Sequence, residues 1–261
     1  MQGSMFITCT PGQAYFGVRD LESHHITSLP EPWQALEQHC GLIRTMEQSG
    51  ARVVNLVEMP GHPNAVFTRD TAVYTPHGAI MVRMGLPSRR GEEQWMTDEL
   101  ARLSIPVIGQ IDNPGTVEGG DVILANNVAF IGHSSRTNRH GIYQLAIILR
   151  RLGYSIRTAK VPAPYLHLGG AMTLVAPETI LTVKGCFPED LLSGFRLIEV
   201  PIRDFITGNV IPLPHRQIIA EQSNQVAITR LQADGFTVFP LPLREFVKGT
   251  GGPSCLVLPL F

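Results

Sequence analysis

Four stretches of this 261-residue chain are built on one plan. They are TAVYTPHGAIMVRMG (71–85), DVILANNVAFIGHS (121–134), MTLVAPETILTVKG (172–185) and NVIPLPHRQIIAEQS (209–223). Each sets two apolar, β-rich runs around a short turn carrying Pro, Gly or Asn, which is the pattern of a β-hairpin. Self-similarity at a regular spacing restricts a chain to a repeat architecture, in which each unit covers its neighbour.

The segments C-terminal to the hairpins repeat as well. In 91–103, Met96, Leu100 and Leu103 fall on one helical face; in 139–152, Ile142, Leu145, Ile148, Leu149 and Leu152 do the same. A shorter helix is expected at 224–233, with Ser223 as its N-cap. The segment after Pro188 carries the weakest helical pattern of the set. Another apolar strand then closes each unit: IPVIG (105–109), YSIRTA (154–159), FRLIEV (195–200) and FTVFPL (236–241). Gly153 and Gly235 stand where helix C-caps belong.

A fifth unit lacks its own hairpin. The stretch 32–47 spaces Trp33, Leu36, Cys40 and Ile43 as an amphipathic stripe, and ARVVNL (52–57) comes after it as a strand. The terminal runs SMFITCT and CLVLPLF are left over and can pair to supply the missing hairpin. The expected fold is therefore α/β: one domain over 1–261, a five-bladed α/β propeller of pseudo-fivefold ββαβ repeats closed by its two ends. The leading residues 1–4 (MQGS) read as an extraneous tag before Met5.

A ring brings residues at equivalent points of its units to the axis. Asp70 precedes the first hairpin, Glu118 and Asp121 the second, His167 shortly precedes the third, and Cys255 precedes the closing strand. One cysteine, one histidine and several carboxylates should thus meet in a central cleft. Cys, His and carboxylate are the parts of a nucleophilic hydrolase. The flanking carboxylates suit a cationic substrate, and a planar guanidinium fits them through paired, charge-assisted hydrogen bonds.

Composition narrows the field. Hydrophobic residues make up 44% and charged residues 16%, which belongs to a globular chain. The net charge of −1 gives no reason to expect nucleic acid or an anionic membrane as partner. No apolar run reaches the roughly 18 residues of a membrane span, and no signal-peptide pattern opens the chain. The four cysteines (Cys9, Cys40, Cys186, Cys255) lie far apart without a CxxC, against a zinc site or a disulfide framework. A cytoplasmic setting is expected, without metal or cofactor.

The motifs PNAVFTRD (63–70), VEGGDVI (117–123), SSRTNRHG (134–141), HLGGAMT (167–173) and GGPSC (251–255) match in order those of the guanidino-group-modifying, or pentein, superfamily. The chain most resembles the dimethylarginine dimethylaminohydrolase family, with arginine deiminase as the near relative. The resemblance implies that Cys255 is the nucleophile, forming a thiouronium adduct. His167 is then general acid and base, with Glu118 orienting it. It also implies that Asp70 holds the guanidinium and that Arg89 and Arg136 bind the substrate α-carboxylate, with Asn64 and Asp121 beside them. The chain departs from the pattern in places. Asn64 and Arg69 give the arginine deiminase form. Gly169 stands where those enzymes carry an acid, and Thr250 replaces an Asp ahead of the cysteine. The missing acid favours a substituted guanidine.

Plainer readings stand beside these. Cys9, Cys40 and Cys186 read as small core residues. Asp121 reads equally as a structural cap; for Arg136 a solvated surface charge is the lesser alternative. The polar stretch 11–32 with His24-His25 is long for a connection and reads as a lid. Adjacent side chains on an extended segment point apart, so the His pair is not read as a metal site. The leading function is hydrolysis of an N-omega-methylated or otherwise substituted L-arginine to citrulline and an amine, by a hydrolase acting on linear amidines. Arginine deimination, N-hydroxyarginine amidinohydrolysis, amidino transfer and an inert binding scaffold are the alternatives. The expected partner is a small guanidino amino acid; homo-oligomerisation is left open.

Overall fold

The computed structural model describes residues 4–260, so the first three residues of the expected tag and Phe261 lie outside the described residues. In chain order the strands are β1 (Met5–Cys9), β2 (Arg52–Leu56), β3 (Ala72–Thr75), β4 (Gly78–Met81), β5 (Val107–Gln110), β6 (Val122–Ala125), β7 (Val128–His133) and β8 (Ser155–Lys160). They continue as β9 (Met172–Ala176), β10 (Thr179–Val183), β11 (Arg196–Val200), β12 (Val210–Leu213), β13 (Gln217–Glu221), β14 (Thr237–Leu241) and β15 (Leu258–Leu260). The helices are α1 (Gln13–Phe16), α2 (Pro32–Gln48), α3 (Glu92–Arg102), α4 (Arg139–Arg151), α5 (Leu168–Ala171), α6 (Gln225–Ala233) and α7 (Arg244–Val247).

The strands form five three-stranded sheets: β15-β1-β2, β3-β4-β5, β6-β7-β8, β9-β10-β11 and β12-β13-β14. In each, the first two strands pair antiparallel and the third runs parallel to the middle one. A parallel partner needs a long crossover, and a helix provides it in four of the five units: α2, α3, α4 and α6. Middle strands are covered on both sides; every residue of β10 is buried. The ring closes through its two ends, with Met5 opposite Leu260, Phe6 opposite Pro259 and Ile7 opposite Leu258. This is the five-bladed α/β propeller expected from the repeats.

Three local expectations are corrected. The fourth unit has no helix between β10 and β11. Pro188 and Gly194, the latter with φ of +87°, interrupt any helical run, and Leu191 and Leu192 plug the space directly. Asn224, not Ser223, stands at the N-cap position of α6, with its side chain making no capping hydrogen bond; Ser223 is drawn instead to the Glu221 carboxylate, which accepts from its amide at 2.8 Å and from its hydroxyl.

The buried stripe of α2 is also rotated. It runs through Ala35, His39, Leu42 and Met46, while Trp33 is 74% exposed and Cys40 is exposed. His39 causes the rotation by finding a partner inside. The Thr8 hydroxyl donates to the Leu256 carbonyl at 2.9 Å, so its oxygen is free to accept from His39 Nε2 at 3.0 Å. Burial lowers the His39 pKa to about 4, which keeps the ring neutral. We expect Met46→Ala to cost about 2–5 kcal/mol in denaturant unfolding. Trp33→Ala should stay within about 0.5 kcal/mol. The reverse ranking would return the stripe to Trp33.

Candidate active site

Five segments approach the axis, each immediately ahead of the first strand of a sheet. A tight turn at Thr68–Thr71 leads into β3 and carries Asp70. Glu118 and the turn Gly119–Asp121 lead into β6. His167 precedes α5, which leads into β9; Asn209 precedes β12; the turn Pro253–Leu256, with Cys255, leads toward β15. Asn209 was not singled out from sequence. The signal was there, because the ring rule that picks Asp70, Glu118, His167 and Cys255 also points to the residue ahead of the fourth hairpin.

His167 and Cys255 line one axial cavity of about 300 Å³, together with Asn209, Arg69, Gly169 and Gly170. The cavity continues down the ring between the first strands of the sheets. Close packing at its mouth depends on glycine. A Cβ on Gly120 would lie 2.7 Å from Asp70 Oδ1 and 2.9 Å from His167 Cγ. A Cβ on Gly252 would lie 2.6 Å from Asn209 Cγ and Oδ1, so the approach to Cys255 must be glycine.

Glu118 is fully buried and draws four groups together. Its Oε2 meets His167 Nε2 at 2.8 Å, and Arg136 Nη1 donates to both oxygens at 3.2 Å. Its Oε1 accepts from the Gly85 and Leu86 amides at 3.0 and 3.2 Å. Burial alone would raise its pKa. The His167 hydrogen bond and charge, with Arg136 and Arg89, instead hold it far below the usual carboxylate range. Burial likewise lowers His167, but Asp70, Asp121 and Glu118 outweigh it and raise the imidazole to about 9. Burial, then the charge of Asp70, push the Cys255 thiol up to about 12.

Four expected site residues already hold hydrogen-bond partners within the protein. Arg89 is 2% exposed and turned inward. Its Nη1 donates to Asp70 Oδ2 at 2.6 Å, its Nη2 to Glu92 Oε2 at 2.7 Å and to the Phe67 carbonyl at 3.0 Å, and its Nε to Glu92. Held this way it presents no free edge to a substrate carboxylate. Asp70 consequently already grips one guanidinium, that of Arg89, while its Oδ1 accepts from the Gly120 amide at 3.1 Å. Asp121 is a brace: Oδ1 accepts from the Leu168 amide at 2.9 Å and Oδ2 from the Ser134 hydroxyl at 2.6 Å, fixing the segment after His167. Asn64 holds the stretch 11–32, since its Nδ2 donates to the His24 carbonyl at 3.1 Å and its Oδ1 lies 3.2 Å from His24 Nδ1. The same stretch is tied down by the Ser88 hydroxyl on Ser23 O and by the Thr250 hydroxyl on His25 O, at 2.9 and 2.8 Å.

Asp70, Glu118 and His167 bring ligand atoms within 4.8 Å of one another, the spacing of a metal cluster. Each carboxylate already carries an arginine, so the cluster balances its charge internally. Removing Arg89 would strand Asp70 and Glu92 without their cation. Breaking a buried pair in this way costs about 3–5 kcal/mol, and Arg89→Ala should lose that much in denaturant unfolding. A loss typical of a surface site would show that the network does not hold the site together.

Known proteins share this frame. The arginine deiminase family model matches residues 44–174. An N(G),N(G)-dimethylarginine dimethylaminohydrolase from Pseudomonas aeruginosa is 30% identical over 257 residues, 97% of this chain and 97% of that protein. A cysteine-to-serine variant of the Pseudomonas aeruginosa enzyme, complexed with citrulline, superposes with a TM-score of 0.89 at 26% identity, over 100% of both chains. A histidine-to-glycine variant of a dimethylarginine dimethylaminohydrolase, as its adduct with S-methyl-L-thiocitrulline, gives 0.88 at 26%, over 99% of this chain and 100% of that one. Likeness along the whole chain, in sequence and in the five-sheet ring alike, places this protein in the arginine deiminase and dimethylarginine dimethylaminohydrolase family.

Proposed function

We propose that this protein hydrolyses the guanidino group of an N-omega-methylated L-arginine to L-citrulline and the corresponding amine, through a covalent adduct on Cys255. The observation that carries this reading is the pairing of Cys255 with a Glu118-bound His167 in one cavity. Full-length likeness to a dimethylarginine dimethylaminohydrolase supports it.

The chemistry is set by the charges. With His167 raised to about 9 and Cys255 to about 12, the resting pair at neutral pH is an imidazolium beside a neutral thiol. A cationic guanidinium entering the cavity offsets the repulsion of Asp70 and favours the thiolate, the thiol proton passing to solvent water. The sulfur attacks the guanidinium carbon. As the bond from that carbon to the leaving nitrogen breaks, His167 donates its proton to the departing amine. The neutral imidazole then takes a proton from water as the water attacks the thiouronium, and the carbon–sulfur bond breaks as the new hydroxyl gives up its proton to the sulfur, releasing citrulline and the thiol. Glu118 holds the ring in place through both steps.

Substrate recognition divides between the cavity and the arginine behind Glu118. Gly169 and Gly170 leave the histidine side without a side chain, which makes room for an N-methyl group and withholds a carboxylate from an unsubstituted N–H. On the far side of Glu118 from His167, outside the cavity lining, Arg136 keeps Nε and Nη2 without a hydrogen-bond partner among the described residues and serves the α-carboxylate. The lid residue His25 sits near it: burial, then the charge of Arg136, lower the His25 pKa. Arginine deimination is the second reading, favoured by Asn64 and Arg69, which take the deiminase form.

Mass spectrometry of products from arginine, mono- and dimethylarginine, hydroxyarginine and agmatine separates these readings. Citrulline with a methylated amine is expected, and Cys255→Ser should abolish it without unfolding the chain. Citrulline and ammonia from arginine alone would establish the deiminase reading instead. The pH profile provides a separate check. The imidazolium is present below about 9 and is lost above it, so kcat should fall as pH rises through that value. A rate that keeps climbing beyond it would remove His167 as the acid. His167→Ala should lower kcat by about 10²–10⁴-fold.

A further inference from the structure

Asn209 is 2% exposed, and its side chain touches both halves of the catalytic pair. Oδ1 accepts from the amide of Ser254, the residue before Cys255, at 2.8 Å. Nδ2 donates to the carbonyl of Gly169, two residues after His167, at 3.0 Å, and lies 3.8 Å from Cys255 Sγ. The partners settle the orientation of the amide: Oδ1 must face the Ser254 N–H, which leaves the two Nδ2 hydrogens for the Gly169 carbonyl and the sulfur. The backbone beneath is fixed as well. Asn209 N donates to Ile206 O at 2.9 Å, Gly208 N to Gly170 O at 2.9 Å, and the Thr173 hydroxyl to Gly208 O at 2.8 Å.

We propose that Asn209 is a positioning residue for the reaction: it holds the histidine and cysteine segments in register and donates an Nδ2 hydrogen to the Cys255 sulfur when the thiolate forms. This rests on the reading of Cys255 as nucleophile. An amide N–H binds an anionic sulfur far better than a thiol, so the bond strengthens along the reaction and not before it. The charged groups that bear on the sulfur set the background. Asp70 opposes the thiolate, while Arg69, anchored by Nη2 on the Val122 carbonyl at 2.8 Å, favours it from the channel side, and the His167 imidazolium shares the cavity.

The test is alkylation of Cys255 by iodoacetamide across pH, with peptide mass mapping so that the exposed Cys40 is scored separately. Asn209→Ala removes both the acceptor and the donor. Asn209→Asp keeps an acceptor for the Ser254 amide, but replaces the donor with an oxygen facing the sulfur. A donor role predicts slower alkylation in the order wild type, Ala, Asp, with the Asp variant at least about tenfold slower at pH 7 for each unit of thiol shift. kcat should fall in the same order, with KM little changed. An Asp variant that alkylates like wild type would leave only a backbone-holding role and overturn the proposal, as would coincident profiles for all three. Because alkylation reads the thiol without turnover, failure here is distinct from failure of the hydrolase reading, which Cys255→Ser decides.

Discussion

A carboxylate with no exposure to water stands at the centre of the ring, and the site is organised around the need to satisfy it. An unpaired buried charge is costly enough that proteins either neutralise it or surround it with donors. Glu118 takes the second course with two backbone amides, an arginine and His167. Arg89 does the same in mirror image, gathering Asp70 and Glu92. The two groups touch: Arg89 Nη1 lies 4.0 Å from Glu118 Oε2, and His167 Nδ1 lies 3.7 Å from Asp70 Oδ1. Neither group is free to move alone. The outcome is an imidazolium and a thiol whose charges are set by fixed neighbours before any substrate arrives, the arrangement that favours electrostatic catalysis.

The fold's part is to deliver these groups from distant places in the chain. Asp70 and Cys255 are 185 residues apart in sequence (255 − 70) but occupy equivalent positions ahead of two different sheets. Ring closure is therefore part of the site. The Leu256 carbonyl, next to the cysteine, accepts from the Thr8 hydroxyl at 2.9 Å and the Thr68 hydroxyl at 3.2 Å, so β1, the Asp70 turn and the cysteine turn are pinned at one point. Through Thr8 the same point reaches His39 on α2. The buried histidine that rotates that helix thus also steadies the floor of the active site.

Most of the architecture was legible because period-2 hairpins and period-3.6 helices leave distinct marks, and their repetition fixed the ring. The α2 stripe misled because Trp33 and Cys40 look apolar while His39 looks polar. A single hydrogen bond to Thr8, formed only in the tertiary structure, reversed the preference. The same limit applies at the site. Sequence could place Arg89 near the axis but not say that Asp70 and Glu92 would claim its donors, since Glu92 carries no motif. Asp121 was readable as brace or ligand until the Leu168 amide and Ser134 hydroxyl were seen to occupy both its oxygens. Asn209 was overlooked because a neutral amide advertises no chemistry, although the ring rule pointed to its position.

The most direct measurement is the intact mass of the enzyme quenched in acid during steady-state turnover of an N-methylated arginine, with the modified peptide sequenced. A thiouronium mechanism predicts a fraction of the protein carrying the substrate-derived group on Cys255, growing when His167 is replaced and water can no longer be activated. Turnover to citrulline with no adduct on Cys255, in wild type and in the histidine variant alike, would contradict a covalent route through this cysteine.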